Sequence, residues 1–151
     1  QRILDNSHKD PRRGRSASQS IIPTSTGASK AISEIIPSLK GKLEGIAMRV
    51  PTHNVSLVEL VFLTKKNLSI ESINNAFEKS SNNELKGVLE VTHEKLVSID
   101  FNHNQASSII DASLTNVVGD NMGKISSWYD NEWGFSNRMC DIATFLNKNF
   151  K

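Results

Sequence analysis

Val55-Ser56-Leu57-Val58-Glu59-Leu60-Val61-Phe62-Leu63-Thr64 is the stretch on which the fold turns. It is rich in β-branched and aromatic residues and reads as a strand. Val58, Leu60 and Phe62 share one face, while Val55, Leu57, Val61 and Leu63 share the other. With both faces apolar, the strand is expected to lie centrally in its sheet. Working outward, Leu43–Val50 reads as another strand, and Pro51 forces a turn after it. Residues 25–36 look helical: Ala28, Ala31, Ile32, Ile35 and Ile36 recur at helical spacing, Ser25 or Thr26 can cap, and Pro37 ends the run. Ser69–Ser80 reads as a capped helix with Ile70, Ile73 and Phe77 inward.

Short β-rich runs follow at Val88–Val91, Leu96–Ile99, Ser107–Ile110, Leu114–Val118 and Lys124–Tyr129, punctuated by Asn, Asp and Gly. Ser136–Asn149 is helical again, with Phe135, Met139, Ile142, Ala143 and Leu146 as its apolar stripe. Strands and helices without regular alternation predict an α+β fold: a mixed, mostly antiparallel sheet with helices on one face. Three segments are expected. Residues 1–22 form a polar, basic, non-periodic arm, 23–134 the main domain, and 135–151 a terminal helix.

Composition narrows the function. The 151 residues are 37% hydrophobic and 23% charged, with 18 basic and 16 acidic side chains. That balance does not argue for nucleic acid. No apolar run reaches the ~20 residues of a membrane span. Gln1 and the polar opening do not suit a secretory signal, and they suggest a fragment or a processed product. Cys140 is the single cysteine, so no intrachain disulfide can form, and a reducing compartment fits. It is expected to be an ordinary buried or semi-buried thiol. His8, His53, His93 and His103 are scattered, without the spacing of a metal site. No Gly-x-Gly-x-x-Gly phosphate loop occurs, so this chain alone lacks the usual dinucleotide grip.

Three groups could carry chemistry. Thr24-Ser25-Thr26-Gly27 opens a helix, where hydroxyls, free N–H groups and the helix dipole can hold a phosphate; a plain helix cap is the simpler account. Arg13 and Arg49 can clamp a phosphate bidentately, or can be solvated surface cations. Ser127-Trp128-Tyr129-Asp130-Asn131-Glu132-Trp133-Gly134-Phe135 joins a strand to the last helix. It can be a ligand edge, with Asn131 offering an acceptor and two donors, or a packed corner.

Taken in order, QRILDNSHKDPRRGR, SIIPTSTGASKA, LKGKLEGIAMRVPTHNVSLVEL, ELKGVL, VSIDFNHN and SWYDNEWGFSNRM closely resemble phosphorylating glyceraldehyde-3-phosphate dehydrogenase of the bacterial type, across essentially the whole chain. The resemblance implies the C-terminal, catalytic-domain half of a glycolytic, cytoplasmic homotetramer. Arg13 matches the arginine of the S-loop that contacts substrate phosphate. Thr26 and Gly27 match the anion site for inorganic phosphate, and Arg49 matches the arginine between the two anion sites. Asn131 matches the asparagine that holds the nicotinamide carboxamide. The implied partners are glyceraldehyde 3-phosphate, inorganic phosphate and the N-terminal half, with neither nucleic acid nor membrane.

In the family reaction a cysteine thiolate adds to the aldehyde, a histidine takes the proton, hydride passes to NAD, and phosphate attacks the thioester. The matching cysteine, histidine and Rossmann domain all precede this stretch. No catalytic residue is therefore assigned within it, and the isolated chain is expected to be inactive. The last helix is expected to dock on the absent NAD-binding domain. Two departures stand out. Asn6-Ser7 replaces a Gly-Pro or Leu-Pro pair near the neighbouring subunit's cofactor, which leaves NADP open beside NAD. Phe135 replaces a frequent tyrosine.

The sister erythrose-4-phosphate dehydrogenase shares DNEWGF and DFNH, but Ser25-Thr26-Gly27 and Tyr129 favour the glyceraldehyde enzyme. A non-catalytic fragment that binds RNA or an acidic partner through the basic 1–15 segment is the other alternative. That segment has no aromatic residue for base stacking.

Overall fold

A computed structural model of the chain describes residues 2–150. These divide into two compact units, residues 2–53 and 54–150. In the first, the arm folds back on itself. Asp10 accepts the Arg12 N–H at 2.9 Å and caps a short 3-10 turn, Pro11–Gly14. The Asn6 N–H reaches the Gly14 carbonyl at 2.8 Å, and the Ser16 N–H reaches the Asp5 carboxylate at 2.8 Å. Gly14 is buried, and a β-carbon there would sit 2.5 Å from the Asn6 carbonyl oxygen, so only glycine fits.

Strand β1 (Ile22–Ser25) then pairs antiparallel with β2 (Ile46–Arg49). Between them lies helix α1 (Ala28–Ile35), followed by a 3-10 turn at Pro37–Leu39. Pro37 stops the helix as its sequence position predicts, because it lacks an N–H and restricts the residue before it.

The second unit is a five-stranded sheet with strands β3 (Ser56–Leu63), β4 (Leu89–Thr92), β5 (Ser108–Asp111), β6 (Asn116–Val118) and β7 (Met122–Tyr129). The order is β3-β7-β5-β4, with β6 also on β7. Only the β4–β5 pair is parallel. The class is α+β, with a mixed and mostly antiparallel sheet.

Helix α2 (Ile70–Asn82) starts at Ser69, whose side chain takes the Ser72 N–H at 3.0 Å while the Ser72 hydroxyl takes the Ser69 N–H. Its Ile73 packs on Leu89, Ile110 and Ile125 on one sheet face. The other face carries Val55, Phe101, Ala106 and Ile109, with Leu96 and Trp128 against them. Alternation along β5 and β7 separates the two cores: Ile109 pairs with Trp128, while Ile110 pairs with Ser127. Helix α3 (Asn131–Asn149) closes the chain.

Three sequence expectations are corrected here. Strand β3 is not central: within the described residues it pairs only with β7 and forms the sheet border. Apolar residues are exposed on both of its faces, Val58 at 47% on one and Leu63 at 74% on the other. Leu96–Ile99 is not a strand, because Asp100 turns back to accept the Val97 N–H at 2.8 Å and starts a 3-10 turn at Ser98–Phe101. Helix α3 begins five residues before Ser136, because Asp130 caps it.

Candidate functional site

The β1–β2 ribbon arranges the first candidates. Its register pairs Ile22 with Arg49, Thr24 with Ala47 and Ser25 with Ile46. Directly paired residues share a face, so Ile22, Thr24 and Arg49 lie on one side of the ribbon. Thr26 follows two residues after Thr24, and its methyl lies 3.8 Å from where a Gly45 β-carbon would stand. From Gly45 to Arg49 the backbone runs four residues, roughly 13 Å at strand spacing.

Thr24 is buried, and its hydroxyl has no hydrogen-bond partner among the described residues. An orphaned buried hydroxyl costs about 1–3 kcal/mol. Arg49 is exposed, while Arg13 is half-buried in the 3-10 turn that lies against β1.

The start of α1 differs from its predicted form. Neither Ser25 nor Thr26 is the cap residue; Gly27 is, in helical conformation. Ser25 is consumed by the strand, while the Thr26 hydroxyl takes the Ala28 N–H at 3.2 Å. The remaining N–H groups of the first turn have no partner inside the helix. Nothing lies within 4 Å of where a β-carbon at Gly27 would stand. Anion-binding chemistry is what such a helix start offers.

The second group sits where β7 meets α3. Asp130 is almost fully buried, and its carboxylate accepts from the Trp133 N–H at 2.9 Å, the His103 N–H at 2.9 Å and the Asn54 amide at 2.8 Å. Burial by itself raises its pKa. The N–H groups of Trp133 and His103, the Asn54 amide and the Glu132 N–H outweigh that and hold it below the ordinary aspartate value.

Two strained positions flank this carboxylate. Val55 has φ 69° and His103 has φ 61°; a β-branched residue there is a true outlier, costing about 1–3 kcal/mol. The His103 ring lies 4.6 Å from Trp133. Behind the corner, the Trp128 indole N–H donates to buried Asp111 at 3.1 Å and the ring stacks on Phe101 at 5.3 Å. Asn131 is the first helical residue. It is exposed, and its side-chain amide has no hydrogen-bond partner among the described residues. A packed corner and an exposed polar side chain thus stand in adjacent residues.

Asn54, His103 and Asp111 escaped the sequence reading. The polar run Asn102-His103-Asn104 was the available signal, since Asn and His tolerate left-handed backbone better than most residues. Cys140 is corrected: it is exposed on α3, not buried. Phe135, Met139, Ile142 and Leu146 are exposed as well. Glu78 and His93 pair at 2.8 Å beside a shallow cleft of about 510 Å³. Among the described residues, no group of three or more His, Cys, Asp or Glu comes together in a metal-binding arrangement. No helix there is long and apolar enough to cross a membrane.

Comparison with known proteins fits this layout. Residues 1–131 match the family model described as glyceraldehyde 3-phosphate dehydrogenase, C-terminal domain. The chain is 54% identical over 151 residues to the chloroplastic glyceraldehyde-3-phosphate dehydrogenase GAPA1 of Arabidopsis thaliana, covering 100% of this chain and 38% of that protein. It is 54% identical over 151 residues to glyceraldehyde-3-phosphate dehydrogenase 2 of Synechocystis sp., covering 100% of this chain and 45% of that one. To glyceraldehyde-3-phosphate dehydrogenase 2 of Staphylococcus aureus it is 56% identical over 143 residues, 95% of this chain and 41% of that one. The chain therefore spans about two fifths of the length of these relatives.

Proposed function

For a chain that belongs to the glyceraldehyde-3-phosphate dehydrogenase family, as its C-terminal domain, we propose that it supplies the phosphate grips and one nicotinamide contact of a phosphorylating enzyme. Glyceraldehyde 3-phosphate and inorganic phosphate are the substrates, and NAD is the cofactor. Arg13, Thr26, Gly27 and Arg49 bind the phosphates, and Asn131 orients the nicotinamide.

The single observation that carries this is the ribbon register. It sets Arg49 on the same face as Thr24, with the start of α1 directly beyond Thr26. One anion touching both Thr26 and Arg49 needs the full length of the arginine side chain. Two neighbouring anions fit without that, one at the helix start and one nearer Arg13, with Arg49 between them. A thioester-cleaving phosphate and a substrate phosphate form such a pair. Each charge-assisted contact is worth about 1.5–3 kcal/mol where water is scarce.

NAD, when bound, accepts the hydride. The donor set here fits a contact to it and not its whole site, because Asn131 offers a free amide while the glycine fingerprint is absent from this sequence. Asn6-Ser7 admits NADP as well. The Asn6 side chain takes the Ser7 N–H at 2.7 Å within its own exposed loop.

Residues 1–22 serve as an interface arm of a homotetramer. Their hydrogen bonds to one another, rather than a core, give them their shape, and a neighbouring subunit supplies the missing cover. The exposed stripe of α3 docks on the NAD-binding domain. Glycolysis in the cytoplasm is the corresponding cellular role.

Two substitutions in the full-length enzyme test the assignment. Arg49→Leu should raise the KM for phosphate and for the aldehyde substrate together, by roughly 10- to 100-fold, with NAD affinity unchanged. Asn131→Ala should raise the KM for NAD and spare phosphate. Swapped effects would refute the assignment.

A further inference from the structure

The geometry at the β7–α3 corner assigns a positioning role to Asp130: its buried carboxylate, tied to Asn54 and to the 102–104 loop, presets the direction in which Asn131 presents its amide to the nicotinamide. This inference rests on the proposed contact between Asn131 and the cofactor, and it adds a residue that does not itself touch the ligand.

A helix cap needs one side-chain oxygen on one early N–H. In Asp130 the Oδ1 atom does that for Trp133. The second oxygen has a different task. Oδ2 accepts the His103 N–H at 2.9 Å and the Asn54 amide at 2.8 Å, from positions 27 and 76 residues away in sequence. The same Asn54 amide donates to Asn102 at 2.7 Å. Two separate loops are thus fastened to the residue immediately before Asn131.

The backbone around these contacts is the strained part of the unit. The two non-glycine positive-φ positions among the described residues, Val55 and His103, are Asn54's neighbour and the very N–H donor to Asp130. Strain of this kind persists only where surrounding contacts over-determine it, and it gathers at ligand sites. On another side, a β-carbon at Gly134 would stand 3.0 Å from the Ala106 carbonyl oxygen, so the turn abuts that loop closely. The His103 ring covers Trp133.

The first turn of α3 is therefore held by its cap, by two loops and by a backbone contact. The helix beyond it exposes Phe135, Met139, Ile142 and Phe145. Such anchorage exceeds what starting a helix requires. It fits a residue whose side chain must be held to a fraction of an ångström, as binding groups require.

The test uses the full-length dehydrogenase, with steady-state kinetics in NAD and in phosphate alongside thermal unfolding. Asp130→Ser keeps the cap oxygen and removes the bridge to Asn54 and His103. It should raise the KM for NAD about three- to tenfold, the worth of one misaligned neutral hydrogen bond, with the KM for phosphate unchanged. Asn54→Ala should do the same more weakly, and it serves should Asp130→Ser fail to fold. The double variant Asp130→Ser/Asn131→Ala should be no worse for NAD than Asn131→Ala alone, because the first residue acts through the second. A lowered unfolding temperature with an unchanged KM for NAD would overturn the inference, and so would multiplicative effects in the double variant. Should Asn131→Ala itself leave the KM for NAD unchanged, the cofactor contact fails and takes the inference with it. That outcome differs visibly from one in which Asn131→Ala acts and the bridge variants do not.

Discussion

Thr24→Val separates binding from folding at the ribbon site, because it should improve one and damage the other. The side chain is only 6% exposed, and its hydroxyl has no partner among the described residues. Valine has nearly the same shape and suits a β-strand at least as well. Replacing the hydroxyl removes an unsatisfied buried group, which costs about 1–3 kcal/mol. Some of that is already relieved by local relaxation, so a gain of about 1 kcal/mol is expected. For a chain of this size that is a rise of about 2–4 °C in unfolding temperature.

If the hydroxyl waits for a phosphate oxygen, the same change deletes a hydrogen bond to a charged acceptor. That is worth about 1.5–3 kcal/mol, a roughly 10- to 100-fold rise in the KM for phosphate. Calorimetry of this chain without phosphate and initial rates of the full-length enzyme at varied phosphate measure the two halves. A stability gain with an unchanged KM would show that the hydroxyl faces no anion. A stability loss would show that it has a partner after all.

Two further outcomes are expected. Gly14→Ala forces a β-carbon to 2.5 Å from the Asn6 carbonyl oxygen; it should break the Asn6–Gly14 hydrogen bond, cost about 2–4 kcal/mol by overpacking and bond loss, and loosen the full-length protein's assembly in light scattering. Asp130 has a folded pKa below its ordinary value of about 3.9, so its stabilisation is fully present above that value and is lost as pH falls through the lower, folded pKa. The stability gap between wild type and Asp130→Asn should be constant above about pH 5 and shrink below about pH 4 in acid titrations followed by circular dichroism.

Much of this was legible because it is local. Pro37 ends α1, Ser69 caps α2, and the apolar runs at 107–110 and 124–129 became β5 and β7 near their predicted bounds. Thr26-Gly27 at a helix start was visible too, although strand β1 claimed Ser25 and shifted the cap to Gly27. What stayed hidden depends on distance along the chain. Nothing near Asp130 announces Asn54, which lies 76 residues before it. The border position of β3 is not legible in its sequence, because apolar residues on both faces signal burial without saying by what. Leu96–Ile99 failed for a chemical reason: one carboxylate, Asp100, was enough to curl an apolar run into a turn.

The border strand also determines how this chain behaves in a test tube. Strand β3 is eight residues long, and Leu57, Val58, Leu60, Val61 and Leu63 are exposed along it. Its outer row of backbone groups has no strand partner among the described residues. Glu59 is the single charge within it, and no proline or bulge interrupts it. Long, flat, apolar edges are templates for adding another strand, so concentrated solutions of the separate chain should self-associate edge to edge. Lys65 and Lys66 guard only the exit. A gatekeeper charge at Val61, on the outer half of the strand, is the smallest change that would keep the polypeptide dispersed during expression and handling.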